Sequence, residues 1–127
     1  MHLPTVKTDI QVRFSDLDML GHVSNTIYGQ YLELARVMWF REVPGNSPAA
    51  VVANINIDFL GEVRMGDNVH VMTSCTKVGT TSIHLLQEIY VNDRCVTRAT
   101  VVQVGFDVKT KKATPLFDGW EPSLAPS

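Results

Sequence analysis

The first patterned stretch of the chain alternates. Val6, Thr8, Ile10, Val12 and Phe14 stand against Lys7, Asp9, Gln11 and Arg13, a period of two that predicts a half-buried strand. From Ser15 to Asn25 the alternation is broken by Asp, Gly, Ser and Asn residues. Beyond Thr26 the period lengthens: Tyr28, Tyr31, Leu32, Ala35, Met38 and Trp39 recur at three- and four-residue steps, with Gln30, Glu33, Arg36 and Arg41 as the polar stripe. This is the pattern of an amphipathic helix with a wide apolar face. Asn25 suits its N-cap, and Pro44-Gly45 stops it.

Past a Pro/Gly/Ser loop at Asn46 to Pro48, four more segments read as strands: 50–60, 69–78, 81–91 and 94–108. In the first, Val51, Ala53, Ile55, Ile57 and Phe59 form one row; the last carries Val96, Val102, Val104 and Phe106. The polar connection at Gly66-Asp67-Asn68 and tight turns at Gly79-Thr80 and Asn92-Asp93 join them. Short turns demand antiparallel pairing, because parallel neighbours need a long crossover. The predicted order is one strand, one long helix and a four-stranded meander. A single helix with a broad apolar face needs an equally broad cover, and a curved antiparallel sheet of about five strands wrapped around it supplies one. The fold class is α+β, a single domain over 1–127, with 118–127 as a loosely docked tail.

Charge narrows the function classes. The net charge is −2 and the basic residues are scattered; the densest run, Lys109-Thr-Lys-Lys112, sits in an apparent turn. No nucleic-acid partner is expected from that distribution. No apolar run reaches membrane-span length, and the N-terminus lacks the basic and apolar regions of a secretory signal, so no membrane association is expected. The two cysteines, Cys75 and Cys95, lie in apolar stretches without metal-ligand spacing. They read as free thiols of a cytoplasmic protein, and no metal or other cofactor is implied.

The candidate chemistry lies between the first strand and the helix. There two carboxylates, a glycine, an imidazole and an asparagine precede a helix N-terminus. The N–H groups of such a terminus have no partners within the helix and carry partial positive charge, so they can polarise a carbonyl and stabilise an oxyanion. A carboxylate on the other side of that carbonyl can attack it or activate water. The same composition also suits simple loop capping, and spacing alone does not make the groups converge.

The segment reads Phe14-Ser-Asp16-Leu-Asp18-Met-Leu-Gly21-His22-Val23-Ser24-Asn25, followed by Tyr28 and Tyr31. It resembles the signature of the 4-hydroxybenzoyl-CoA thioesterase-like branch of hotdog-fold proteins: an aromatic, any residue, Asp-x-Asp-x-x-Gly-His-Val-Asn-Asn, then a helical Tyr. Glu33-Leu-Ala-Arg36, Phe59-Leu-Gly-Glu62, Gly66-Asp67 and Val78-Gly-Thr-Thr-Ser82 extend the resemblance to about residue 108. Ser24 departs from the more frequent Asn.

The resemblance implies a hotdog fold and hydrolysis of an acyl-CoA to free acid and CoA. It puts Asp18 at the catalytic carboxylate position, Asn25 at the helix-start N–H that faces the thioester carbonyl, Gly21 at the close backbone approach and His22 near the site. Asp16 would order the loop. Tyr28 is core or acyl-pocket wall. Thr81 and Ser82 fall where the family binds pantetheine, and Arg64, Lys77 and Arg94 suit phosphate by residue type alone. Members form homodimers or homotetramers with sites at the subunit interface. A non-catalytic acyl-CoA binding hotdog protein and a hotdog hydratase or dehydratase are the alternatives.

Overall fold

A computed structural model of the chain describes residues 1–45 and 49–124. The expected loop at Asn46 to Pro48 and the end of the expected tail, 125–127, lie outside the described residues.

The first strand, β1 (Val6–Ile10), is shorter than its alternation suggests. Val12 stays buried beyond its end, but Phe14 leaves the pattern and is 82% exposed. The chain there winds into a 3-10 turn, Phe14–Asp16. Asp16 closes that turn, its carboxylate accepting the Arg13 backbone N–H at 2.9 Å and the Arg13 guanidinium at 3.0 Å.

The helix, α1 (Asn25–Glu42), ends just ahead of Pro44-Gly45. Its N-cap is Ser24, in extended backbone with φ −63° and ψ 143°, and not the expected Asn25, which is the first helical residue. The cause is upstream: the Ser24 N–H donates to the Asp16 carbonyl at 3.0 Å, which holds Ser24 extended as the cap, so the helix begins at Asn25, one residue earlier than expected. Tyr28, Tyr31, Leu32, Ala35 and Trp39 are buried as their spacing requires. Arg36 is buried too, correcting its place on the polar stripe. Its Nη1 donates to Gln87 Oε1 at 3.0 Å, and the Gln87 amide in turn donates to the Leu32 carbonyl at 2.9 Å and Thr73 Oγ1 at 3.2 Å. A polar network inside the apolar face is invisible to a helical period, because the partner is a glutamine supplied by a distant strand.

The sheet contains β2 (Ala49–Phe59), β3 (Val69–Val78), β4 (Ser82–Val91), β5 (Arg94–Asp107) and a short β6 (Lys112–Ala113). Its order is β1-β3-β4-β5-β2, antiparallel throughout, with β6 beside β5. Two expectations change. The sheet has six strands, β6 forming where the chain turns back after Lys111, a residue with φ 57°. The later strands are not one meander: only β3-β4-β5 is, while β2 lies at the far edge against β5. The segment between β2 and β3 therefore crosses between the sheet's two flanks, and it passes the loop that precedes α1, with the Val23 N–H donating to the Val63 carbonyl at 2.8 Å.

Three bulges reset the inward rows, one of them between Cys75 and Lys77 of β3, after which Val78 pairs with Ile83 and packs on the core. Strand β5 presents Thr97, Ala99, Val101 and Gln103 to the interior, because the register shifts where Tyr90 pairs with Cys95 and Ile89 with Thr97. Val102, Val104 and Phe106 consequently face outward, although Val96 before the shift is fully buried. In β2 the shift between Val52 and Asn54 makes Val52, Ile55, Ile57 and Phe59 the row opposite Gln103, Val101, Ala99 and Thr97. Val51 and Ala53 therefore do not share a face with Ile55. An extra residue in one strand inverts the parity of everything after it.

The core has two halves along α1. One gathers Tyr28, Tyr31 and Leu32 with Ile10, Val71 and Ile89; the other gathers Trp39 with Ile83, Leu85 and Phe117. The Trp39 indole N–H donates to the Pro4 carbonyl at 2.8 Å. In the expected tail, the Leu3 N–H donates to the Glu121 carbonyl at 2.9 Å, and Ser123 exchanges backbone and hydroxyl bonds with Cys75 and Pro4.

Candidate active site

The loop leading into α1 is a tight hairpin. Leu17 and Val23 bridge antiparallel, and the Asp18 N–H donates to the His22 carbonyl at 2.7 Å. Gly21 makes the reversal at φ +80°, a left-handed conformation costly for any residue with a Cβ. The Asp18 carboxylate uses one oxygen to hold this loop: Oδ1 accepts the Leu20 N–H at 2.8 Å and the His22 N–H at 3.1 Å. Asp18 is exposed, and Oδ2 has no hydrogen-bond partner among the described residues. Met19 and Leu20 at the tip are 103% and 79% exposed, an apolar edge beside the carboxylate.

Asp16 is the foundation under that loop. It is buried, and its carboxylate takes the Tyr31 hydroxyl at 2.7 Å besides the two Arg13 bonds. Burial alone raises its pKa; the Arg13 backbone N–H, the Tyr31 hydroxyl and the Arg13 guanidinium together outweigh that and hold it below its ordinary value. The reciprocal effect pushes the Tyr31 phenol up, through burial and then the bond to Asp16. The two acids thus take different parts: Asp16 is saturated and structural, whereas Asp18 keeps an oxygen free.

The crossing segment supplies the other wall. The Val63 N–H donates to the Tyr28 hydroxyl at 3.1 Å, so Tyr28, 2% exposed, ties this segment to the helix from within the core. Its phenol is pushed up by burial. The His22 ring Nε2 lies 3.3 Å from Glu62, which also takes Arg64 at 3.3 Å. The Asp67 carboxylate fixes the Arg64 backbone N–H at 2.8 Å. Gly61, Glu62, Arg64, Asp67 and Arg94 line a hollow beside this corner. At the start of α1 no side chain caps the helix and its first turn contains no acid; the Ser24 hydroxyl turns to Thr26 at 3.2 Å instead. The positive end of the helix is therefore not neutralised by its own residues.

The sequence-selected residues fall into two groups. Asp18, Gly21, His22, Asn25, Tyr28 and Arg64 gather where β1 ends and α1 begins. Thr81 and Ser82 lie at the β3–β4 hairpin with Lys77 across from His84, at the opposite end of the same strands. There the Thr81 carbonyl accepts the Gly105 N–H at 2.8 Å. Arg98 lies exposed, paired with Glu88 at 3.1 Å. Sequence reasoning missed Arg13 and Tyr31 as the anchors of Asp16, and Glu62 as the partner of His22. The Phe59-Leu-Gly-Glu62 stretch carried a signal for Glu62; nothing local marked Arg13. Among the described residues no group of three His, Cys, Asp or Glu side chains is placed to hold a metal ion, and no helix is long and apolar enough to cross a membrane.

A six-stranded antiparallel sheet with one long helix is the architecture of the hotdog-fold thioesterases. The chain matches the family model of the thioesterase-like superfamily over residues 12–120 and belongs to that family, which makes it a thioester hydrolase. It is 31% identical to the long-chain acyl-CoA thioesterase FadM of Escherichia coli, covering 87% of this chain and 90% of FadM. It is 30% identical to the uncharacterized protein YsmA of Bacillus subtilis, covering 86% and 78% of the two chains. Among solved structures, a Thermus thermophilus thioesterase complexed with coenzyme A and Zn superposes with a TM-score of 0.80 at 30% identity, covering 91% of this chain and 93% of that one.

Proposed function

We propose that the protein hydrolyses acyl-CoA thioesters, with Asp18 supplying the reacting carboxylate and the first N–H groups of α1, that of Asn25 foremost, stabilising the oxyanion. The observation that carries this reading is the asymmetry of Asp18: one oxygen is spent on the Leu20 and His22 N–H groups, and the other is free in an exposed loop beside an uncapped helix start. A carboxylate held by one oxygen is oriented without being used up. A thioester carbonyl seated against the helix N-terminus meets fixed donors that need no reorganisation as charge develops. Asp18 either attacks the carbonyl, giving an anhydride that water then opens, or draws a proton from the attacking water. In both cases the C–S bond breaks, CoA leaves as the thiolate, and water supplies the acid's oxygen and the thiol's proton. Gly21 lets the His22 N–H turn back onto Asp18, and His22, through Glu62, steadies the hairpin against the crossing segment.

The wide separation of the two residue groups supports a site shared between two copies of the chain. Thr81, Ser82 and Lys77 of one copy would meet the pantetheine and phosphates of a CoA whose thioester lies at Asp18 of the other, with Arg64 nearer the thioester end. Strand β2 is an unpaired sheet edge with exposed Val51, Val52, Ile55 and Phe59, the kind of edge that pairs with its own copy.

The test is thiol release over a panel of short, medium, long and aromatic acyl-CoAs. Turnover with at least one of them is expected. Tight acyl-CoA binding without thiol release would reassign the protein as a binder, and hydration of an enoyl-CoA without thiol release would reassign it as a hydratase.

A further inference from the structure

The lysine-rich run Lys109-Thr-Lys-Lys112 is carried to one end of the sheet by the overshoot of β5. Ser82, the first residue of β4, pairs with Val104, and β5 continues to Asp107. Phe106 has Ala49 of β2 on one side and Ala113 of β6 on the other, so β6 lies on the β4 side of β5, away from the sheet edge at β2. In the turn between β5 and β6 the Asp107 carboxylate accepts the Lys109 N–H at 2.9 Å and the Thr110 N–H at 3.3 Å. The acid of this turn thus holds its backbone. Lys109, Lys111 and Lys112 stand exposed and enter no ion pair among the described residues.

The β3–β4 turn sits at this same end. The Thr81 carbonyl accepts the Gly105 N–H at 2.8 Å, and the Gly105 carbonyl accepts the Thr114 N–H at 2.9 Å. The lysine turn therefore begins roughly 10 Å beyond Thr81, the rise of three extended residues after Gly105. Between Thr80 and Trp120 lies a cavity of about 580 Å³, with Phe117 and Asp118 also in its wall. Phe117 packs on the buried Trp39 at 5.8 Å, and its carbonyl accepts the Trp120 N–H at 3.2 Å, which ties this wall to the core. Trp120 is half-buried. Asp118 is exposed, enters no ion pair among the described residues, and is the one charged side chain they give the cavity.

Each of these features matches a different part of one ligand. An indole at a cavity wall offers a stacking face to a purine, an unpaired carboxylate accepts from an exocyclic amine, and a basic turn meets phosphates. We propose that this end of the sheet binds the nucleotide of CoA, with adenine in the cavity against Trp120 and Asp118 and the phosphates on Lys109, Lys111 and Lys112. CoA, and not a carrier protein, is then the acyl donor. The proposal rests on the hydrolase reading for the course of the pantetheine past Thr81 and Ser82. An acidic carrier protein would also meet the lysines, but it brings no base for the cavity and sets its own acids against Asp118.

Adenosine 3′,5′-bisphosphate tests the site without pantetheine or acyl group. The chain has two tryptophans and Trp39 is fully buried, so quenching of fluorescence by the base reports on Trp120. Saturable quenching that weakens at higher salt is expected. In calorimetry the affinity is expected to fall about tenfold or more in the triple variant Lys109→Gln, Lys111→Asn, Lys112→Gln, whose three sites are all exposed. Trp120→Leu behaves likewise if circular dichroism shows it folded; the lysine variant carries the test if it does not. The best acyl-CoA is then compared with the same acyl group on pantetheine and on an acyl-carrier protein. In the wild type, kcat/KM for the CoA thioester is expected about tenfold or more above both, and the lysine variant narrows the gap to acyl-pantetheine through KM. No saturable quenching, an affinity unchanged in the lysine variant, equal cleavage of acyl-pantetheine and acyl-CoA, or a preference for the carrier protein overturns the proposal. Should no thioester be cleaved, the hydrolase reading fails on its own, and the nucleotide titrations still decide this one.

Discussion

Tyr31→Phe removes one oxygen and leaves the ring packing, which isolates the bond from the Tyr31 hydroxyl to the buried Asp16 carboxylate at 2.7 Å. A hydrogen bond to a charged group of this kind contributes about 1.5–3 kcal/mol, and the carboxylate left behind is buried and loses one of its three donors. For a chain of 127 residues, a loss of about 2 kcal/mol lowers the melting temperature by about 7 °C. The pH dependence adds a second signature. Asp16 has a folded-state pKa below its ordinary value of 3.8, so its stabilisation is present in full above that value and is lost as pH falls through the lower folded one. The variant has less of this stabilisation to lose. The gap between wild type and Tyr31→Phe is therefore widest at neutral pH and narrows on acidification below pH 3.8. Urea unfolding at pH 7 and at several acid values, followed by circular dichroism, measures both. A neutral-pH difference under about 0.5 kcal/mol, or a gap that widens with acid, would refute the assignment of Asp16 as the anchor of the hairpin.

Two further outcomes follow from the same geometry. Gly21→Ala meets no atom within 4 Å of the new Cβ, so its cost is backbone strain alone, about 1–2 kcal/mol in thermal or chemical unfolding; a neutral substitution would show that the left-handed turn is not required. Ile55→Lys puts a charge on the exposed row of the edge strand, and light scattering is expected to show a dimer or larger assembly of the wild type reduced to a monomer. An unchanged mass would contradict pairing through β2.

Much of the local structure was legible because it depends on neighbours in sequence. The helix announces itself by its period, ends at Pro44-Gly45, and buries the residues its spacing selects except Met38, which is half-buried, while the run from Asp16 to Asn25 marks the break between strand and helix. What was not legible depends on register and on distant partners. The bulge at Val52/Asn54 and the one near Tyr90 each invert a row of side chains, and no local pattern distinguishes an extra residue from an in-phase one. Arg36 looks like a surface residue until Gln87 arrives from β4, and Asn25 looks like a cap until the Asp16 carbonyl claims Ser24. The pairing of β2 with β5 instead of β3 likewise has no signature in either strand, because edge position is a property of the assembled sheet.

The central claim is that the free oxygen of Asp18 does the chemistry. Asp18→Asn keeps a carbonyl oxygen for the Leu20 and His22 N–H groups, so the hairpin persists while the reacting carboxylate disappears. Thiol release by this variant, measured on the best wild-type acyl-CoA beside a melting curve, is expected to fall by roughly a hundredfold or more with the melting temperature nearly unchanged. A folded Asp18→Asn protein that turns over at the wild-type rate would contradict the account.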